Sequence, residues 1–230
     1  MRPIYMTRSL SVAADADGIA LDQAIALGDL ALAGALVVAG VAQLGAQRKV
    51  LFTPGAGDDL TGINFTLYGT DDQGHVLTEV VAGPNAVTAQ SVLDYSTVTR
   101  IAASVAGGAG ETVSVGTNGV GASPPIPVEQ YTPEFNVMLA TVLRSGAANW
   151  TVQYTFDNVF DAYDSSNTNI FLPGAVAGRP DLIKWWDDAS ITAVAADAKG
   201  SLVNPVKAVR LVTNSGTGEV ELAVIQQGTQ

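Results

Sequence analysis

The chain has 230 residues, 22 acidic against 11 basic side chains, a formal charge of −11, one histidine and no cysteine. No disulfide framework, thiolate metal site or cysteine nucleophile is available, and a multi-histidine centre within one chain is excluded. The acidic balance repels phosphate and argues against wrapping or reading nucleic acid. Hydrophobic residues make up 47% but aromatic ones only 7%, so the expected core is Val, Ala, Leu and Ile. This composition suits a structural or binding protein.

Residues 1–29 have no sustained hydrophobic period. ADADGIALDQAIA mixes turn formers with small apolar residues, the look of an arm ordered by packing on a neighbour. On that reading, deletion of residues 2–29 leaves a folded β domain. Leu30 to Ala46 is uncharged over 17 residues. That is short of the roughly 20 a spanning helix needs, and Gly34, Gly40 and Gly45 interrupt it. A signal peptide is also a poor fit, because Asp15, Asp17, Asp22 and Asp29 precede the run. The run is read as short glycine-separated strands, LALAG, ALVVAG and VAQLG, so residues 1–47 form an arm plus short strands and 48–230 the main β domain.

From Lys49 the pattern is β. KVLFTP is a strand closed by Pro54. INFTLYG alternates, with Ile63, Phe65 and Leu67 on one side and Asn64, Thr66 and Tyr68 on the other. TDDQG then turns the chain into HVLTEVV, a hairpin with Gly74 suited to positive φ. Further strands are expected at 96–105, 111–117, 135–143, 149–156, 207–213 and 219–226. The last two are expected as a hairpin through NSGTG. No long 3.6-residue period occurs, so the fold class is all-β, an antiparallel β-sandwich of jelly-roll or Ig-like type. ASPPIPVEQYTP (122–133) is a candidate division into two lobes. Residues 157–199 are the longest irregular stretch, with a helical turn expected from Pro180.

Few constellations could carry chemistry. His75 beside Asp71 and Asp72 has the residues of a base oriented by a carboxylate, but it also suits a hairpin start, and no G-x-S-x-G nucleophile turn occurs. Asp15, Asp17 and Asp22, and Asp157, Asp161 and Asp164 before SSNTN, are oxygen-rich, yet neither fits the EF-hand loop; both are read as solvated turns. Glu129, Glu134, Asp181, Asp187 and Asp188 supply carboxylates for glycoside hydrolysis, without any spacing that pairs two of them. The turns YGTDDQG, VGTNGVG and NSGTGE lack the Lys and helix start of a phosphate loop. Trp185 and Trp186, flanked by Lys184, suit an interface anchor, a sugar-stacking surface or a plug at the end of a sandwich. No catalytic residue, cofactor or metal site is expected.

The segments AGALVVAGVAQLGAQRKVLFTPGAGDDLTGINFTLYGTDDQGHVLTEVVAGPNA, TVTRIAASVAG and VSVGT, then PEFNVMLATVL, NWTVQYTFDN and PVKAVRLVTNSGTGEVELAVIQQG, resemble virion structural proteins of tailed bacteriophages. The likeness covers roughly residues 33–122 and 130–228 and rests on the G-T-D-x-x-G hairpin and the closing P-V-x-A-V-R-L-x-x-N-S-G-T-G. It implies a non-enzymatic virion protein, made in the host cytoplasm, that decorates or cements the capsid. The implied partners are the major capsid protein or other virion proteins and further copies of the chain, with a homotrimer favoured and neither nucleic acid nor membrane engaged. A tail, collar or head-to-tail position and a glycan-binding module are the alternatives. Arg2, Ile4 and Tyr5 in the arm, with Trp185 and Trp186, are the expected interface residues.

Overall fold

In a computed structural model of the chain the described residues are 4–129, 135–157, 159 and 183–226, and every regular element among them is a β-strand. The protein is all-β, with antiparallel sheets consistent with a β-sandwich. It divides into two compact units, one formed by Met1–Ala13 with Gly119–Gln230 and the other by Ala14–Asn118. The second is thus inserted in the sequence of the first.

The first unit opens with β1 (Ile4–Leu10). The inserted unit follows with β2 (Asp15–Ala24), β3 (Gly28–Asp29), β4 (Val37–Val38), β5 (Val41–Arg48), β6 (Val50–Pro54) and β7 (Asn64–Thr70). It continues through β8 (Val76–Ala82), β9 (Ala89–Gln90), β10 (Tyr95–Ala103) and β11 (Thr112–Thr117). The chain then returns with β12 (Gly121–Ala122), β13 (Ile126–Pro127), β14 (Val137–Ser145) and β15 (Ala148–Thr155). It ends with β16 (Trp185–Asp187), β17 (Ala198–Leu202), β18 (Ala208–Gly216) and β19 (Glu219–Gln226).

In the inserted unit one sheet runs β5-β10-β7-β8 and the other β2-β11-β6-β9. The β7–β8 hairpin pairs Asn64 with Ala82 through Thr70 with Val76. Its alternation falls as the side chains require: Phe65 and Leu67 are buried, while Thr66 and Tyr68 lie on the other face. Phe52 of β6 stacks on Phe65 with ring centroids 5.0 Å apart, within a core completed by residues such as Ile101, Val113 and Val115.

Residues 4–47 differ from the expected arm and short strands. β1 pairs along its length with β19 of the same chain, from Ile4 opposite Gln226 to Leu10 opposite Val220, and β2 pairs with β11. Alternation too short to declare itself in the sequence becomes a strand once a partner supplies the ladder. Deleting residues 2–29 therefore removes β1, β2 and β3 from their sheets, and a folded remainder is not expected. Of the three glycine-separated strands only β4 and β5 form, joined at Ala39 and Gly40, whose φ values of 52° and 82° are those of a type I′ turn. The preceding residues 30–36 instead bond to strands through loop contacts such as Leu36 N–H to Gly18 O at 2.8 Å. Among the described residues no helix is long and apolar enough to cross a membrane.

The proline-rich stretch is not a linker where it is described. Ile126 pairs with Val209, and the N–H groups of Ser123 and Val128 donate to the carbonyls of Leu211 and Lys207, so residues 122–128 lie along β18. The units divide between 118 and 119 instead.

The first unit has one sheet ordered β1-β19-β14-β17 and a second in which β16, β15 and β18 are successive neighbours, with β12 and β13 also on β18. NSGTG is consequently not a hairpin turn. β18 belongs to one sheet and β19 to the other, and β14 and β15 are split in the same way. The two crossings lie side by side. The Thr217 and Gly218 N–H groups both donate to the Ala147 carbonyl, at 3.1 and 3.0 Å. Glycine is needed here for space as well as dihedral angle. A Cβ on Gly216 (φ +92°) would stand 2.3 Å from Ala147 O, and one on Gly218 would stand 2.6 Å from Ser145 O.

Gly216→Ala is expected to destabilise the protein by about 1–3 kcal/mol, from left-handed strain plus the clash with a backbone carbonyl. Gly57→Ala, at a φ of +87° with nothing near the added Cβ, is expected to cost less. Denaturant unfolding of both variants checks this, and equal losses would remove the steric part of the account.

Candidate functional site

Three places in the described residues gather functional side chains: the β7–β8 loop, the β15–β16 edge and the outer face of the β1-β19-β14-β17 sheet.

In the first, Asp71 is buried, and its Oδ1 accepts the N–H groups of Gln73 and His75, each at 2.9 Å. Its Oδ2 lies 3.0 Å from His75 Nδ1. The carboxylate therefore closes an Asx-type turn and holds the imidazole as part of that loop. Gln47, itself buried, donates its side-chain amide to Asp72. Burial first, and the neighbouring Asp71 second, push the Asp72 carboxyl above its ordinary value of 3.8. The pair has the chemistry of a base and its orienting acid, and these hydrogen bonds tie down the loop.

The second place carries the tryptophans. β16 lies at the end of its sheet, with Trp185 opposite Thr155, Trp186 opposite Tyr154 and Asp187 opposite Gln153. On one face the Arg210 guanidinium sits 4.2 Å from the Trp185 ring centroid. Arg210 Nε donates to Gln153 Oε1 at 2.9 Å, and Gln153 Nε2 donates to Asp187 Oδ1 at 2.8 Å. This chain of polar groups crosses β18, β15 and β16. Trp185 also packs on Val159, Ile183 and Ala208. On the other face the Lys184 ammonium lies 4.3 Å from the Trp186 ring centroid. Tyr154 meets Phe156 edge-to-face at 5.6 Å. Phe156 and Trp186 remain 49% and 45% exposed. Each indole thus holds a cation against its π face, and the edge presents aromatic surface beside charge.

The third place is the outer face of the β1 sheet. Tyr5 of β1, Ile225 of β19 and Met138 of β14 stand directly opposite one another across three adjacent strands. They are 65%, 41% and 54% exposed. The next row is Thr7, Ala223 and Ala140. In the row after that, Glu221 of β19 takes the Arg144 guanidinium at 2.8 Å. An apolar row thus lies at one end of the face and an ion pair at the other.

Of the expected interface residues, Tyr5 falls in the third place and Trp185 and Trp186 in the second, on different sheets. Ile4 begins β1, and Arg2 lies outside the described residues. Met138, Ile225, Tyr154, Phe156 and Arg210 went unsingled in the sequence. Alternation within 135–143 and 219–226 marks which residues share a face, but no sequence signal shows that those strands are neighbours.

Three of the other expected carboxylates serve local structure. Asp157 Oδ2 accepts the Lys184 N–H at 2.7 Å, and Asp188 is buried with Oδ1 accepting from Ser190 and Ile191. Asp187 is engaged by Gln153; Glu129 is held through its backbone, its N–H donating to Gln226 Oε1 at 2.9 Å. Among the described residues no group of three or more His, Asp or Glu side chains could hold a metal ion. Glu134, Asp161, Asp164, the SSNTN run, the turn at Pro180 and Asp181 lie outside the described residues.

No protein-family model matches the chain, and no curated protein matches its sequence.

The raised Asp72 value has a sign that can be tested. The folded state holds this proton to higher pH than the unfolded chain, so the stability it brings is present below pH 3.8 and lost as pH rises through the raised value. Asp72→Asn keeps an oxygen for Gln47 and removes that loss. It is expected to melt above the wild type at neutral pH, with the difference closing below pH 3.8, as thermal scans across pH will read. A variant that melts lower at neutral pH would mean that the charge is needed by the loop.

Proposed function

We propose that the chain is a non-enzymatic structural subunit of a bacteriophage virion, decorating or cementing the capsid as a homo-oligomer. The observation that carries the assembly part is the exposed row Tyr5–Ile225–Met138. Three large apolar side chains aligned on neighbouring strands of one sheet form a surface that water disfavours and a protein partner would cover. The virion part rests on the resemblance of the hairpin around Gly69–Gly74 and of Pro205–Gly218 to virion structural proteins. Such a role suits the way His75, Asp71, Asp157 and Asp188 are spent on turns and strand contacts.

A second reading has its own observation. The exposed Trp186 and Phe156, next to Lys184, offer rings and a hydrogen-bond donor of the kind that stack on sugars, which suits a tail or collar component engaging a host glycan. Titration with a glycan panel, followed by tryptophan fluorescence, tests it; no change across the panel counts against it.

Quantitative mass spectrometry of purified particles tests the main proposal. A copy number of the same order as the major capsid protein is expected. Far fewer copies would transfer the subunit to the tail or collar, and its absence from particles would overturn the structural reading.

A further inference from the structure

The structure points to strand β1 as the surface through which two copies of this chain join, and we propose that β1 pairs antiparallel with β1 of a second copy about a two-fold axis at Thr7. The inference deepens the assembly reading above and rests on it for its motive, while its geometry comes from the edges of the sheets.

A sheet edge exposes a row of backbone N–H and C=O groups that can pair with another strand, and proteins blunt such edges with charge, bulges, brevity or cover. Most other edges among the described residues show one of these devices. β9 and β16 have two and three residues. β2 carries Asp15, Asp17 and Asp22, and its register against β11 shifts twice. β8 has the 92–93 segment drawn against it, with the Val92 and Leu93 N–H groups donating to the Glu79 carboxylate at 2.6 and 3.0 Å. β17 bears Lys199, and its Gly200 is crowded by Asp188, Ser190 and Ile191.

Among the described residues β1 has neither brevity, bulge nor cover. It is seven residues long, unbroken in register from Ile4 to Leu10, and contains one charge, Arg8. Its pairing among the described residues is with β19 alone. Tyr5, Thr7 and Ser9 are exposed along it. Among the described residues buried Arg8 Nε has no hydrogen-bond partner, and Nη1 reaches the adjacent Thr7 carbonyl at 3.3 Å.

The sequence of the strand selects the occupant and its direction. Parallel, in-register pairing with a second copy would set Arg8 against Arg8, and like charges directly opposite destabilise a sheet. Antiparallel pairing about Thr7 sets Arg8 against Met6, Tyr5 against Ser9 and Ile4 against Leu10, with threonine facing threonine on the axis. Thr–Thr cross-strand neighbours are favourable. The contact is isologous and closes on itself. It joins two four-stranded sheets into one and removes both free edges. It gives a dimer in place of the trimer expected from the resemblance.

Native mass spectrometry at micromolar concentration tests this with the full chain. The wild type is expected as a dimer. Thr7→Lys and Thr7→Glu alter an exposed side chain, so each should keep the wild-type strand content by circular dichroism. Each alone is expected to be monomeric, because the axis brings like charges together. An equimolar mixture is expected to restore a dimer at the mixed mass. A monomeric or trimeric wild type, a single variant that stays dimeric, or a mixture without the mixed species would each overturn the proposal. Particle copy number is read separately: a dimer absent from virions defeats only the virion reading, and a virion protein that is monomeric or trimeric in solution defeats only this one.

Discussion

The first unit depends on one backbone oxygen. Ala147 O accepts from both Thr217 and Gly218, which locks the crossing from β14 to β15 against the crossing from β18 to β19. Because both strand pairs change sheets at the same place, neither β14–β15 nor β18–β19 forms a hairpin. β14 and β19 are left to pair with each other, and so are β15 and β18. A side chain at Gly216 or Gly218 would push these crossings apart. The closeness of two bare backbones is therefore what keeps two sheets separate and gives each its own outer face.

Both candidate surfaces of this unit follow from that split. On the sheet that keeps β14 and β19, β1 adds at one side, and the Tyr5–Ile225–Met138 row exists because three strands distant in sequence share one register. On the sheet that keeps β15 and β18, β16 adds at the end, bringing Trp185 and Trp186 to the cations Arg210 and Lys184. Chemistry-bearing residues are divided between the two sheets instead of converging, an arrangement suited to contact surfaces.

The inserted unit handles its polar groups differently. Gln47, Arg48 and Asp71 are all buried. Burial lowers the Arg48 guanidinium to about 10 against the opposing pull of Asp15, and its side chain donates to the Asn118 carbonyl. These groups fasten strand ends and the loop at residues 71–75. Buried polar networks of this kind favour one arrangement of the chain over alternatives, which suits a scaffold.

Local pattern was enough to read β6, β7, β8, β10, β11, β14, β15, β18 and β19. Alternation in 63–69 and 75–81 identifies β7, β8 and the buried set Phe65 and Leu67, because side chains two apart share a face whatever the partner strand is. The all-β class follows from the same feature repeated along the chain. Pairing was decided by tertiary structure. NSGTG has the composition of a hairpin turn and is a crossing between sheets, since what distinguishes the two is whether Ala147 stands beside it. β1 looked like a free arm because a strand held by a partner more than 200 residues away needs little periodicity of its own. The aromatic edge and the apolar row are likewise products of register between distant segments, which the order of residues along one chain does not contain.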